Sequence, residues 1–223
     1  MHNIDDPAFH DNRKYNYNDT INVEREEYKK IVELIPEGAK IIDLGCGNGN
    51  LIEMLINKKN VSAVGIDISD SGISECKRKG LDAVQGAIDK KLDFKDNEFD
   101  YAICNVTIQM VNYPEVLLKE MKRIAKYQII SFPNFAFYKN RLQLLLKGKM
   151  PDTMLFGYKW FSSGHIHQLS IKDFKELIRQ TGNMKIIKHE FVQPKYPIQN
   201  ILMRTFPNLF QYIPIFVIQK IKD

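Results

Sequence analysis

The chain has 223 residues, 44% of them hydrophobic, with 32 Lys and Arg against 27 Asp and Glu, a formal net charge of +5. That length and apolar content exclude a disordered or fibrous chain and fit one domain carrying an insertion. The apolar run at 213–218, broken by Pro214, is far short of the roughly 20 residues a membrane span needs, and MHNIDDPAFH at 1–10 has acids where a signal peptide has cations.

Residues 1–19, with Tyr15 and Tyr17, read as an N-terminal arm or lid ahead of a domain over 20–223. An amphipathic helix is predicted over about 20–35, where Ile21, Tyr28, Ile31, Val32 and Ile35 recur at helical spacing until Pro36 and Gly38 end it. A regular alternation follows. Strands are predicted at 40–44, 61–66, 82–85, 99–106 and 127–131, with helices opening at 51 and spanning 71–79 and 115–124. This rhythm implies βαβ units and an α/β fold, a doubly wound, Rossmann-like sheet with helices on both faces. After Ser131 the rhythm breaks. Residues 132–170 hold Pro133, Pro151, Gly148, Gly157, Gly164, many aromatics and one Leu-rich helix around 140–146. We read 132–170 as an insertion over the carboxyl edge of the sheet, where open α/β sheets bind ligands. A helix over 171–180, a strand over 184–192 and a last strand within 212–221 complete the chain.

Three cysteines, Cys46, Cys76 and Cys104, without C-x-x-C spacing, point to a reducing cytoplasm, with neither a disulfide framework nor a zinc site. A soluble cytoplasmic protein is the expectation. Charge is unevenly spread: residues 1–118 carry 14 basic and 21 acidic side chains, residues 119–223 carry 18 and 6. Such a split marks either a basic region that meets an anionic partner or plain solubility.

The most informative segment is IIDLGCGNGN at 41–50. A strand ends at Leu44, and Gly45, Gly47 and Gly49 let the chain turn and a ligand approach the backbone, Cys46 included, before a helix begins near Asn50. A dinucleotide loop, G-x-G-x-x-G, would need glycine at position 50, which is Asn. Asp43, just ahead of the loop, would also repel a pyrophosphate. A carboxylate there suits a cationic ligand portion, such as the α-amino group or sulfonium of S-adenosylmethionine. The second strand ends at Asp67, whose two oxygens can accept both hydroxyls of a ribose. Taken alone, Asp67 would serve equally as a helix cap, as would Ser69. Ile68, next in the chain, joins the candidate cofactor contacts.

At this point the chain resembles the class I methyltransferases, and from about 22 to 190 it resembles the MetW family of methionine-biosynthesis proteins. The resemblance rests on IIDLGCGNGNL, on VQGAID at 84–89 and on FDYAICNVTIQMV at 99–111. ISFPNFAFYKNRLQLLLKGKMP at 130–151 and IHQLSIKDFKELI at 166–178 make it more specific. It implies a seven-stranded sheet with an antiparallel last strand and S-adenosylmethionine as cofactor. It also implies an alternative role, as a non-catalytic protein partner of homoserine O-acyltransferase. One position departs from the pattern. Where many such enzymes have an acid contacting the adenine amine, this chain has Ala87, leaving Asp89, Ile88 or a backbone group to do so. The end of the fourth strand, Cys104, Asn105 and Val106, is placed on the methionine side, with Cys104 otherwise a small buried hydrophobe.

Methyl transfer from a sulfonium is an in-line displacement with a good leaving group, so a protein contributes mainly by positioning. A hydroxyl acceptor gains from a general base; an ionised oxygen or a thiolate needs none. The candidate bases are Tyr158, His165 and His167, in GYKWFSSGHIHQLS at 157–170. The histidines share a face of an extended segment, which equally fits a structural hydrogen-bond pair, and H-x-H without nearby acids or cysteines is no metal motif. Lys139, Arg141, Lys147, Lys149 and Lys159 face one acid, Asp152, and are interleaved with aromatics. That mixture fits a pocket for an anionic small molecule, a nucleic-acid surface or a solvated helix face. Asn134, Arg141 and Lys149 are the candidate acceptor contacts. The expected function is O-methylation of a sugar, nucleotide-sugar or phosphate-like acceptor in a biosynthetic pathway. RNA methylation ranks last, because no RNA-binding module is evident.

Overall fold

A computed structural model of the chain describes residues 25–152, 160, 164–192 and 197–221; the arm expected at 1–19 lies outside them. Among the described residues, seven strands form one sheet: β1 (Lys40–Leu44), β2 (Ser62–Asp67), β3 (Ala83–Gln85), β4 (Phe99–Asn105), β5 (Ala125–Ser131), β6 (Met184–Phe191) and β7 (Pro214–Lys220). They lie in the order β3-β2-β1-β4-β5-β7-β6. β1 to β5 pair in parallel, and β7 runs antiparallel to both β5 and β6. The sheet is accompanied by α1 (Glu26–Leu34), α2 (Asn50–Lys59), α3 (Asp70–Arg78), α4 (Pro114–Ile124), α5 (Tyr138–Lys147), α6 (Ile171–Thr181), α7 (Pro197–Thr205) and α8 (Pro207–Phe210). None of these helices is long and apolar enough to cross a membrane.

Helices cover both faces of the sheet, so alternate residues of one strand enter different cores. Ile41 packs with Ile31 and Val32 of α1 and Leu51 and Leu55 of α2. Its neighbour Ile42 joins Leu118 and Met121 of α4 and Phe174 and Ile178 of α6. Strands buried on both sides need apolar residues at nearly every position, which is why they read as continuous β-branched runs. Burying each such side chain contributes roughly 1.5–3 kcal/mol.

α7 and α8 have no counterpart in the sequence reading, and β5 begins earlier than expected because α4 hands over to it without a loop. α6 starts where the pattern placed it. Its N-terminus is closed by a capping box: Ser170 Oγ accepts from Asp173 N at 3.3 Å, and Asp173 Oδ2 accepts from Ser170 N at 2.8 Å. Ser170→Ala should therefore cost about 1 kcal/mol, read as a drop of roughly 2–4 °C in the thermal midpoint. The strand order reverses between β1 and β4, and the crevice outside their carboxyl ends is the topological switch point.

Candidate functional site

The loop from β1 to α2 occupies that crevice. Gly45 N and Cys46 N both donate to Ile66 O, at 2.7 and 3.1 Å, which holds the loop to the end of β2. Gly45 has φ +88°, and a Cβ there would stand 2.5 Å from Thr107 Oγ1 and 2.9 Å from Thr107 Cβ. Gly49, the residue capping α2, has φ +74° and would put its Cβ 2.5 Å from Leu81 Cδ1. Both positions favour glycine for conformation, and Gly45 also for space, since Thr107 Cβ cannot swing away. Cys46 turns its side chain inward to Ile52, Ile73 and Cys76, so only its backbone belongs to the loop surface. The contact with Cys76, reinforced by burial, pushes its thiol pKa up.

Two carboxylates flank the loop. Asp67 Oδ2 accepts from Gly47 N at 2.7 Å and Oδ1 from Ser69 N at 2.8 Å. Ser69 caps α3, accepting from Gly72 N at 3.2 Å. The cap role is therefore taken by Ser69, and Asp67 joins the glycine loop to the end of β2. Asp43 is only 2% exposed, and its Oδ1 is buried with no hydrogen-bond partner. Burial, then the negative charge of Asp67, push its pKa up to about 7. A buried carboxylate without compensation is costly, and a positive or hydrogen-bond-donating group beside it would offset that cost. α1 adds Tyr28, whose hydroxyl pKa burial raises and which lies within electrostatic reach of Asp43. The sequence pattern had placed Tyr28 only on the apolar face of a helix.

β4 contributes the opposite wall. Val106 has φ +53°, a left-handed conformation that costs a β-branched residue about 1–3 kcal/mol. It is held by two bonds from its N–H, to Ser131 O at 3.0 Å and to Ser131 Oγ at 3.1 Å. Ser131 Oγ in turn donates to Asn105 Oδ1 at 2.5 Å. This turn sets Thr107 against Gly45, with Thr107 Oγ1 donating to Asn105 O at 3.0 Å. Thr107 and Ser131 carried no signal in the sequence. Buried Gln109 follows, donating from Nε2 to Val106 O at 2.9 Å. Its backbone carbonyl accepts from Ile166 N and His167 N, both at 3.0 Å. Residues 166 and 167 are thus docked at the carboxyl end of β4. His165, the residue before them, lies half-buried, and His167 Nε2 is 3.4 Å from Asn112 O.

The remaining candidates separate. Ala87 is half-buried, whereas Ile88 is buried in the core and Asp89 Oδ2 accepts from Asn112 N at 2.8 Å and Tyr113 N at 3.1 Å. Ile68, 46% exposed, stands beside Asp67 as an uncovered apolar side chain. Asn134 is fully buried; its Nδ2 donates to Asn208 O at 3.1 Å and Gln211 O at 2.8 Å, and its Oδ1 accepts from Ala136 N at 3.2 Å. Its amide ties the exit of β5 to α8, so the acceptor contact expected of it gives way to a structural role. Arg141 is exposed and donates from Nε to Ala136 O at 2.6 Å; Lys149 is exposed just beyond α5. Cys104 is wholly buried, and burial pushes its thiol pKa up. Tyr158 lies outside the described residues.

The family model of the methionine biosynthesis protein MetW matches residues 25–218. The bifunctional methionine biosynthesis protein MetXA/MetW of Rhodopirellula baltica is 31% identical over 171 residues, covering 72% of this chain and 27% of that protein. The ubiquinone biosynthesis O-methyltransferase of Methylococcus capsulatus is 34% identical over 95 residues, 40% of each chain. This chain therefore spans well under two thirds of either relative. The crystal structure of a SAM-dependent methyltransferase from Thermotoga maritima superimposes with a TM-score of 0.63 at 19% identity, over 97% of this chain and 100% of that one. The chain has the class I SAM-dependent methyltransferase fold and belongs to the MetW family.

Proposed function

We propose that this protein is an S-adenosylmethionine-dependent methyltransferase that O-methylates a small polar or anionic acceptor, a sugar, nucleotide-sugar or phosphate-like group. The observation that carries the reading is Asp43, a buried carboxylate with an unpartnered oxygen just ahead of a loop in which Gly45 has no room for a side chain. When bound, the cofactor supplies an activated methyl group on a sulfonium. Asp43 would face its positive portion, Asp67 would accept the ribose hydroxyls, and Ile68 would cover one face of the adenine. The backbone at Gly45, Gly47 and Ala87 and the end of β4 at Asn105 would enclose the rest. On the acceptor side, a proton on His167 Nε2, directed at Asn112 O, leaves Nδ1 with a lone pair able to take a hydroxyl proton. His165 is the second candidate base. Arg141 and Lys149, exposed beyond β5, supply positive charge for an anionic acceptor.

S-adenosylmethionine at about 100 times its Kd should stabilise the protein by about 2.7 kcal/mol and raise the thermal midpoint by roughly 5–10 °C. Asp67→Ala should abolish that rise. No rise in the wild-type protein, or an unchanged rise in the variant, would overturn the reading. A second reading, a non-catalytic partner of homoserine O-acyltransferase, draws support from the Rhodopirellula baltica relative, whose matched region is part of a bifunctional protein. Isotope-labelled methyl transfer to candidate acceptors separates the two. Absence of transfer together with co-purification of the acyltransferase favours the partner.

A further inference from the structure

We propose that α5 and α7 dock the protein on an anionic lipid surface. α5 inverts the usual helix pattern. Asn140 is its buried residue, whereas Leu142, Leu145 and Leu146 are 48%, 79% and 76% exposed. Spaced i, i+3 and i+4, the three leucines form one stripe on the side of the helix away from Asn140. Lys139 and Arg141 border that stripe on its two sides, Lys147 and Lys149 follow it, and the helix carries no acid. Asp152, the one acid in 132–152, is engaged by Gln143 Nε2 at 2.8 Å. α7 adds further apolar surface: Ile198, Ile201, Leu202 and the following Phe206 are all exposed, and 197–221 contains no acid; its one cation, Arg204, donates from Nε to Asn200 Oδ1 at 3.3 Å.

Both helices rise from the same edge of the sheet. α5 follows the carboxyl end of β5, and α7 leads through α8 into β7 beside it. The Tyr138 ring meets Phe210 of α8 at 5.7 Å, and Asn134 binds the α8 carbonyl of Asn208. An exposed apolar stripe bordered by cations is the pattern of a helix lying in the lipid–water interface, where leucines enter the acyl boundary and cations meet phosphates. Charge decides against a second copy of this chain, which would bring the same cationic border against itself. The proposal does not rest on methyl transfer.

Co-sedimentation with vesicles tests it. Phosphatidylcholine vesicles containing about 30% phosphatidylglycerol, enough for a strongly negative surface potential, should bind the protein and release it as salt rises. Pure phosphatidylcholine should leave most of it in solution. Leu145→Glu with Leu146→Glu should lower partition by about tenfold or more, and Lys147→Gln by about fivefold. The leucine variant should keep the wild-type thermal midpoint, because both side chains face solvent. Wild-type protein that ignores the anionic vesicles overturns the proposal. So does a leucine variant that binds them unchanged, or a solution dimer that the same variant dissociates.

Discussion

Asp43→Asn should raise the thermal midpoint of the ligand-free protein at pH 8 by roughly 8–16 °C while abolishing binding of S-adenosylmethionine. In the folded chain the carboxyl group titrates at about 7, against 3.8 for the ordinary group. At about 1.36 kcal/mol per pH unit, the ionised form costs up to roughly 4 kcal/mol of stability above pH 7. A chain of this size loses or gains about 2–4 °C per kcal/mol. The sign follows from the direction of the shift. Because the folded pKa is raised, the stability contributed by the protonated group is complete below 3.8 and is lost as pH rises through 7. The gap between variant and wild type should therefore widen from pH 5 to pH 8. A gap of constant size across that range would mean that Asp43 titrates normally and is not the costly group. The two halves of the prediction belong together, since a site that gains stability on neutralisation has been holding its charge for a partner.

What the sequence made legible follows from where each interaction lives. β1 was bounded as observed, because an apolar run that stops at glycine is a local signal. Asp67 stands out for the same reason, at the end of the next run. Its bond to Gly47 N ties the glycine loop to β2, a duty that spacing alone could not reveal. Asn134 shows the opposite case. Its place at the carboxyl edge suggested an acceptor contact, but its amide is spent on carbonyls of Asn208 and Gln211, far along the chain. α7 was missed although its apolar and polar residues fall on separate sides, because it is only nine residues long and begins at Pro197 with Pro207 close behind, a spacing that reads as loop. Val106 is placed at the ligand by its position at the end of the fourth strand, but its left-handed backbone, and Thr107 with it, carried no signal. Their role arises only when β4 comes to lie beside β1, and no residue type announces a left-handed valine.

That junction carries the second large effect. Gly45→Ala should cost about 2–5 kcal/mol, lower the thermal midpoint by roughly 4–20 °C and remove cofactor binding. Two costs combine: an alanine held at φ +88°, of order 1–2 kcal/mol, and a methyl group driven into Thr107, of order 1–3 kcal/mol. Thr107→Gly separates them. By itself it forfeits the bond from Thr107 Oγ1 to Asn105 O, worth about 1 kcal/mol, and adds backbone entropy to the unfolded chain. In the double variant the methyl group has room, so the overpacking cost disappears and the backbone strain stays. A double-mutant cycle in chemical denaturation should then give a coupling of about 1–3 kcal/mol in favour of the pair. Strict additivity would mean that Gly45 is required only for its conformation and that β4 does not press on the loop. A positive coupling accompanied by recovered cofactor binding would place Thr107 as the strut that sets how closely a ligand can approach the glycine backbone.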